Sequence, residues 1–151
     1  MKATWERSTS SSLTRARRSV VTMSDSALTL HVCTVCRRVR EDLPEGYDQP
    51  GAALAEALTQ RLNGQANGIT VVTAECLAVC KRPCTIALAA DGKWTYLIGD
   101  LETDTHLDDI VSAAEAYAAS ANGIVPWKER PPCFRKGVVA RVPPMPARQQ
   151  G

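Results

Sequence analysis

Two short strand-like runs, each followed at once by a cysteine motif, constrain the fold of this chain more than any other feature. Ala27–Val32 leads into the motif Cys33–Cys36, and the β-branched run Ile69–Thr73 leads into the motif Cys76–Cys80. β-branched residues and alternating apolar residues are typical of strands. Two parallel strands joined by a helix end at the same edge of their sheet. The sequence therefore predicts that the two motifs meet in space at that edge.

A helix is predicted between these two strands. Leu54, Leu58 and Leu62 recur at every fourth position, which is the spacing of one helix face. Pro50 suits the first turn of such a helix, and the pair Asn63–Gly64 is a suitable stop. The strand, helix and second strand together indicate a parallel βαβ unit.

The chain after the second motif predicts a hairpin and a second helix. Cys84–Ala90 and Lys93–Ile98 have the pattern of strands, and the turn-forming pair Asp91–Gly92 joins them. The helix spans about Thr103–Asn122, and its apolar face contains Leu107, Ile110, Val111, Ala114, Tyr117 and Ala118. The order β-α-β-β-β-α indicates an α/β protein, a thioredoxin-like sandwich with a mixed four-stranded sheet, over residues 27–122.

The two flanks of this domain differ from it in composition. Residues 1–26 are rich in Ser, Thr and Arg and indicate a disordered leader. Met23 is the expected true start, and an organellar transit peptide is the alternative. Residues 123–151 form a proline-rich tail, in which Ile124–Trp127 is expected to pack on the domain through its tryptophan. Val138–Val142 is a candidate for one further edge strand.

The charge distribution argues against several functions. Residues 1–22 carry five basic residues and one acidic residue, so their net charge is +4 and the remainder of this +2 chain carries −2. A domain with a slight negative charge is a poor nucleic-acid binder. No apolar run is long enough to cross a membrane, and the N-terminus has no secretory signal. We therefore expect a cytoplasmic protein with reduced cysteines, without a membrane or nucleic-acid partner.

The cysteines indicate a metal centre. Four thiolates from two loops suit either a structural zinc ion or a [2Fe–2S] cluster. The candidate ligands are Cys33, Cys36, Cys76 and Cys80. The three-residue spacer of the second motif favours iron over zinc. Cys84 stays open between a buried core thiol and a further ligand.

Other residues around the motifs have weaker signals. His31 lies two residues before the first motif, where a strand residue is usually a structural neighbour, and Cys133 in the tail is an incidental thiol. Basic residues follow both motifs, namely Arg37, Arg38, Arg40, Lys81 and Arg82. They indicate either a solvated polar loop or a cationic collar that stabilises an anionic cluster and guides an acidic redox partner.

These features predict a small [2Fe–2S] electron carrier that exchanges electrons with a partner protein and is not an enzyme. The sequence contains no nucleophile elbow, no P-loop and no dinucleotide-binding motif. One alternative is a non-redox zinc-binding or metal-delivery module with the same ligands. Another is a dithiol oxidoreductase that uses the Cys33–Cys36 pair.

The residues around the motifs resemble a family of uncharacterised bacterial proteins that are predicted to bind metals. The resemblance spans about Leu28 to Pro144 and rests on the segments HVCTVCR, ECLAVC, DGKWTY and PWKERP. More distantly, the chain is similar to thioredoxin-like [2Fe–2S] ferredoxins and to the small cluster-bearing subunit of respiratory complex I.

The resemblance implies a ligand set and a pathway. Those ferredoxins take two ligands after the first strand and two from a C-x-x-x-C loop after the second, which implies Cys33, Cys36, Cys76 and Cys80 in this chain. The first pair is closer together here than in those relatives, which leaves open whether Cys84 replaces one of the four. The family is associated with cobalamin synthesis, which implies a redox role there.

Overall fold

The computed structural model describes residues 27–63 and 67–146, so the predicted leader and its candidate start at Met23 lie outside the described residues. Two long helices and seven strands make up about half of the described chain. The elements are, in order, β1 (Leu28–Cys33), β2 (Arg38–Val39), β3 (Tyr47–Asp48), α1 (Gly51–Leu62), β4 (Ile69–Ala74), β5 (Ile86–Ala89), β6 (Thr95–Ile98), α2 (Thr103–Ala119), a 3-10 helix (Trp127–Glu129), α3 (Pro132–Gly137) and β7 (Val138–Val142).

The main sheet has five strands in the order β4-β1-β5-β6-β7. β1 and β4 are parallel, and the other three pairs are antiparallel. The sheet has five strands rather than the predicted four because the candidate edge strand Val138–Val142 pairs with β6 and extends it. Without β7, the backbone groups along one side of β6 would be an unpaired edge.

The core lies between the sheet and its two long helices. α1 and α2 pack against each other and against β1, so both lie on one face of the sheet. The predicted leucine stripe of α1 is fully buried, and in α2 the buried side chains are Ile110, Ala113, Ala114 and Tyr117. Tyr117 packs edge-on against Tyr96 of β6, with 6.1 Å between the ring centroids. The periodicity of the sequence therefore identified the inner face of α1, and in α2 it identified three of the four buried residues but missed Ala113.

A short β-ribbon, β2 paired with β3, occupies the segment between the first motif and α1. The ribbon is fixed to the main domain by Arg38, whose guanidinium donates a hydrogen bond to the carbonyl oxygen of Leu101 (3.0 Å). Arg37 stacks on the ring of Tyr47 at 4.5 Å. The ribbon therefore holds the chain that follows Cys36 in a defined position beside the first motif.

The predicted tail segment Ile124–Trp127 packs on the domain, but through Val125 rather than through its tryptophan. Val125 and Phe134 are 2% and 1% exposed and belong to the main core, whereas the side chain of Trp127 is 59% exposed. The expectation that Trp127 anchors the tail is therefore wrong. A small aliphatic side chain and the short helix α3 do so instead.

Lys93 is a buried cation that caps α2, which gives a stability prediction. It is 7% exposed, and its ammonium group donates to the carbonyl oxygens of Ala118 (2.8 Å) and Tyr117 (3.4 Å) in the last turn of α2. Lys93→Met would keep the length of the side chain but remove the ammonium donor from the Ala118 carbonyl, whereas the Tyr117 carbonyl would keep its hydrogen bonds from Ser120. We expect it to lower the free energy of unfolding by about 2 kcal/mol.

Urea denaturation followed by circular dichroism measures this loss. Lys136→Met is the matched control because Lys136 is exposed, and such surface substitutions change stability by less than about 0.5 kcal/mol. Equal stability of the two variants would contradict a capping role for Lys93.

Candidate metal centre

The carboxyl ends of β1 and β4 bring the two cysteine motifs together, as the sequence predicts. Cys33 is paired with Ala74 in the parallel register. Beyond the strands, the backbone N–H of Thr34 donates to the carbonyl of Ala74 (3.0 Å), and that of Val35 donates to the carbonyl of Glu75 (3.3 Å). The first motif therefore runs alongside the start of the second.

Cys33 and Cys36 form a closely spaced, buried pair of thiols. Their sulfur atoms are 3.1 Å apart, and the residues are 0% and 2% exposed. The sulfur of Cys33 is also 3.7 Å from the carbonyl oxygen of Glu75, the residue before Cys76. The two sulfurs of this loop are thus in contact with each other, and that of Cys33 also contacts the backbone of the other loop.

The surroundings of this pair favour one thiolate. Burial opposes ionisation of Cys33, but the thiol of Cys36 and the backbone N–H groups of Leu77, Val35 and Cys36 donate hydrogen bonds to its sulfur and lower its pKa. Burial, together with the hydrogen bond and charge of Cys33, raises the pKa of Cys36 to about 12. Of the two thiols, Cys33 therefore loses its proton first, and the remaining proton stays on Cys36.

Cys76 and Cys80 lie on the exposed side of the site. The loop between them turns sharply, because Ala78 has a left-handed backbone conformation with φ = 60°. This turn directs the N–H of Ala78 to the sulfur of Cys76 at 3.2 Å. The backbone of this loop therefore supplies an N–H donor to the sulfur of its own first cysteine, Cys76.

Cys84 lies in the buried part of the site. It is 1% exposed, precedes β5, and exchanges backbone hydrogen bonds with Leu101 (3.1 and 3.3 Å). Burial raises the pKa of Cys84 to about 11, the charge of Arg38 opposes this rise, and the charge of Cys33 adds to it. Cys84 is thus both a member of the hydrophobic core and a close neighbour of the Cys33–Cys36 pair.

The predicted ligands are not all equally close. Cys33 and Cys36 are in contact, and the negative charges of Cys84 and Cys80 further raise the pKa of Cys36, so both lie within electrostatic range of it. The residues on either side of Cys76, Glu75 and Leu77, interact with Cys33 through their backbone groups. Within residues 27–63 and 67–146, no three His, Cys, Asp or Glu side chains already surround a single point as metal ligands. The ligand set Cys33, Cys36, Cys76 and Cys80 stays a prediction.

Carboxylates accompany several cations of the predicted collar. Arg40 pairs with Asp42 (2.7 Å) and Asp48 (3.4 Å), and Arg82 pairs with Asp100 (2.7 Å). These pairs are largely exposed and contribute little stability. They also neutralise part of the charge around the motifs, so the predicted collar is weaker than the sequence alone indicates.

The two residues with weak signals differ in their surroundings. His31 is half-buried inside β1, opposite Val72 and Ala87, in a strand position rather than in the loops that carry the motifs. Cys133 is 8% exposed within the core. Burial, followed by the charge of Asp109 and a hydrogen bond with it, raises the pKa of Cys133 to about 12. Cys133 is therefore a core thiol rather than an incidental one, and its place between a proline and a phenylalanine gave no signal of this.

Comparison with known proteins supports the fold. A model of the family DUF1636, described as a protein of unknown function, matches residues 30–144. The solved structure of a thioredoxin-like [2Fe–2S] ferredoxin from Aquifex aeolicus is similar, with a TM-score of 0.50 and 16% sequence identity over 79% of this chain and 96% of the ferredoxin chain. No curated protein matches the chain. The likeness confirms the predicted thioredoxin-like α/β fold, and at this identity it shows the fold alone.

Proposed function

We propose that this chain, which belongs to the DUF1636 family of proteins of unknown function, is a small electron carrier that holds a [2Fe–2S] cluster through cysteine thiolates. The observation that carries the proposal is the contact between the two loops at the sulfur of Cys33. This sulfur lies 3.1 Å from that of Cys36 within its own loop and 3.7 Å from the carbonyl oxygen of Glu75, next to Cys76, in the other loop. Two loops that meet at sulfur are what a shared inorganic centre requires.

The donor set fits such a cluster. Each iron takes two cysteine sulfurs, and two sulfurs on one tetrahedral metal lie about 3.8 Å apart for metal–sulfur bonds near 2.3 Å. Cys33 and Cys36, at 3.1 Å, need to separate by less than an ångström to serve as one pair. Cys76 and Cys80 supply the second pair, with Cys84 as the candidate replacement for one member. When bound, the cluster accepts one electron and returns it to a partner.

The chain stabilises the charge of the thiolates and leaves one side of the cluster accessible to a partner protein. The backbone N–H of Ala78 donates to the sulfur of Cys76, which stabilises thiolate charge and tunes a cluster's potential. Cys33 and Cys36 are buried, whereas Cys76 and Cys80 are exposed. The buried pair excludes water from one side of the centre, and the exposed loop gives a partner protein a short route to the other side.

In this role the protein is a carrier rather than an enzyme, and it works in a reducing compartment such as the cytoplasm. All six cysteines are free thiols, and thiolate ligands persist where disulfides do not form. The dithiol alternative would require a disulfide substrate to reach Cys33 or Cys36. At 0% and 2% exposure, neither sulfur is open to such a substrate. A zinc module shares the ligands and is separated from an electron carrier by the metal that the protein retains.

Anaerobic purification tests the proposal directly. We expect about two irons and two sulfides per chain, visible absorption in the oxidised protein, and a paramagnetic resonance signal that appears on chemical reduction. A colourless protein that retains only zinc would rule out the electron carrier in favour of a structural or metal-delivery role. Metal analysis of the same sample distinguishes the two results.

A further inference from the structure

Trp127 is an exposed tryptophan that lies between two arginines. Its side chain is 59% exposed, and the guanidinium carbons of Arg130 and Arg135 lie 5.6 and 5.9 Å from its ring centroid. Tryptophan is a highly buried residue on average. Tryptophan and arginine are also the residues most enriched where protein interfaces concentrate their binding energy. This cluster of three side chains therefore has the composition of an interface centre.

Both arginines are held in place with donors left over. Arg130 donates to the carbonyl of Val125 (2.8 Å) and to the hydroxyl of Tyr96 (3.3 Å). Arg135 donates to two backbone carbonyls of the 3-10 helix, each at 3.2 Å. A guanidinium group has five N–H donors, and within the described chain the remaining three of each group have no protein acceptor. These donors are preorganised for a ligand with several acceptor oxygens.

The exposed ring is not needed to anchor the tail. Val125 and Phe134, both nearly fully buried, fix the segment on either side of the 3-10 helix. Arg130 is held by Tyr96 and Val125 independently of the ring. Removing the Trp127 ring should therefore leave the melting temperature almost unchanged, which separates a binding role from a structural one.

The charge of this segment indicates what it binds. Residues 127–137 carry four basic residues and one acidic residue, a net charge of +3. The segment also contacts the cysteine loop, because Arg82, between Cys80 and Cys84, donates to the carbonyl of Lys136 (3.0 Å). A basic, aromatic surface is thus attached to the loop that would exchange electrons. Carboxylates are the acceptors that complement its free guanidinium donors.

We propose that Trp127, Arg130 and Arg135 form the docking surface for an acidic face of a protein partner. The guanidinium groups bind carboxylates of that face, and the ring packs against apolar atoms between them. Single-stranded nucleic acids are bound by several aromatic side chains along a basic groove, whereas Trp127 is the one exposed aromatic residue among those described. The partner's role as an electron donor or acceptor rests on the proposed function; the binding itself does not.

Calorimetric titration of the full-length, metal-loaded protein with a purified acidic flavodoxin at low salt tests this surface. We expect Trp127→Ala and Arg135→Glu each to weaken binding at least about tenfold, with unchanged circular dichroism and melting temperature. Arg141→Glu is the matched control: Arg141 also stacks on a tryptophan, Trp94, at 5.5 Å, but it lies outside residues 127–137. It should change the affinity by less than about threefold, since a charge that does not contact the partner acts only through attraction that salt screens.

Several results would overturn the docking surface. They are no measurable binding of flavodoxin by the wild type, an equal loss in all three variants, and tighter binding of a single-stranded oligonucleotide than of flavodoxin. Arg135→Glu keeps the test decisive if Trp127→Ala does not fold. Stopped-flow mixing of the reduced protein with oxidised flavodoxin separates the two proposals. A wild type that binds flavodoxin through Trp127 but transfers no electron would count against the electron carrier and leave the docking surface intact.

Discussion

Cys80→Ser should reduce the iron content from about two atoms per chain to nearly none and should remove the visible absorption. Serine is uncharged near neutral pH, and its hydroxyl oxygen is a poorer ligand for iron than a thiolate. Binding free energy of a metal centre is also folding free energy. Loss of a centre that is saturated a few hundredfold above its dissociation constant costs roughly 3 kcal/mol. For a chain of this size, that lowers the melting temperature by about 10 °C.

Cys133→Ser is the control for this prediction, because it also replaces a cysteine but lies in the core beside Asp109. It should retain iron, although a buried hydroxyl in place of a thiol lowers stability by about 1 kcal/mol. Iron and sulfide analysis with differential scanning calorimetry measures both effects. Full iron content in Cys80→Ser would contradict the ligand assignment.

Cys84→Ser decides which thiols complete the centre. Loss of iron in Cys84→Ser with retention in Cys76→Ser would show that the buried Cys84, rather than Cys76, is a ligand. The opposite result would support Cys76 as the ligand, as the C-x-x-x-C motif of the sequence indicates. Both variants should be compared at equal protein concentration and under the same anaerobic conditions, since iron retention depends on both.

The sequence predicted the parts of the fold that repeat over several residues. Partly alternating apolar residues identified β1, a β-branched run identified β4, and leucines at every fourth position identified the inner face of α1. The meeting of the motifs followed from strand order alone, because parallel strands joined by a helix end at one edge. These features depend on local periodicity, which a single sequence contains.

Short elements and burial by distant partners could not be predicted in this way. β2 and β3 have two residues each, which is too few for an alternating pattern. α3 has six residues and is recognisable only because Phe134 enters the core. The exposure of Trp127 depends on which other residues pack around its ring, and the composition of the tail does not identify them.

The close approach of α1 to the first motif was also invisible in the sequence. Nothing in the sequence distinguishes Gly51 from other glycines, yet it is the residue at which α1 contacts the backbone of Cys33. A spatial contact between residues 18 positions apart in the chain has no local signature. It nevertheless gives the largest stability effect that we expect.

Gly51→Ala should lower the free energy of unfolding by about 3 kcal/mol or more. A Cβ atom on this residue would overlap with the carbonyl oxygen of Cys33 and lie 2.9 Å from the Cα atom of Thr34. Both neighbours are backbone atoms, so no side-chain rotation relieves the clash. Either α1 or the end of β1 must move, and movement of β1 displaces Cys33. We therefore expect the variant to lose iron as well as stability.

Gly46→Ala separates this steric effect from the general cost of replacing a glycine. Gly46 has φ = 72°, and no atom of the described residues lies within 4 Å of the position that an alanine Cβ would take, so this variant bears only the backbone cost of about 1 kcal/mol. Urea denaturation and iron analysis of both variants provide the comparison. If Gly51→Ala were no less stable than Gly46→Ala and kept its iron, the helix would not approach the first motif as closely as the structure shows. The larger loss is expected because strain at Gly51 acts on the chain that carries the buried sulfur pair.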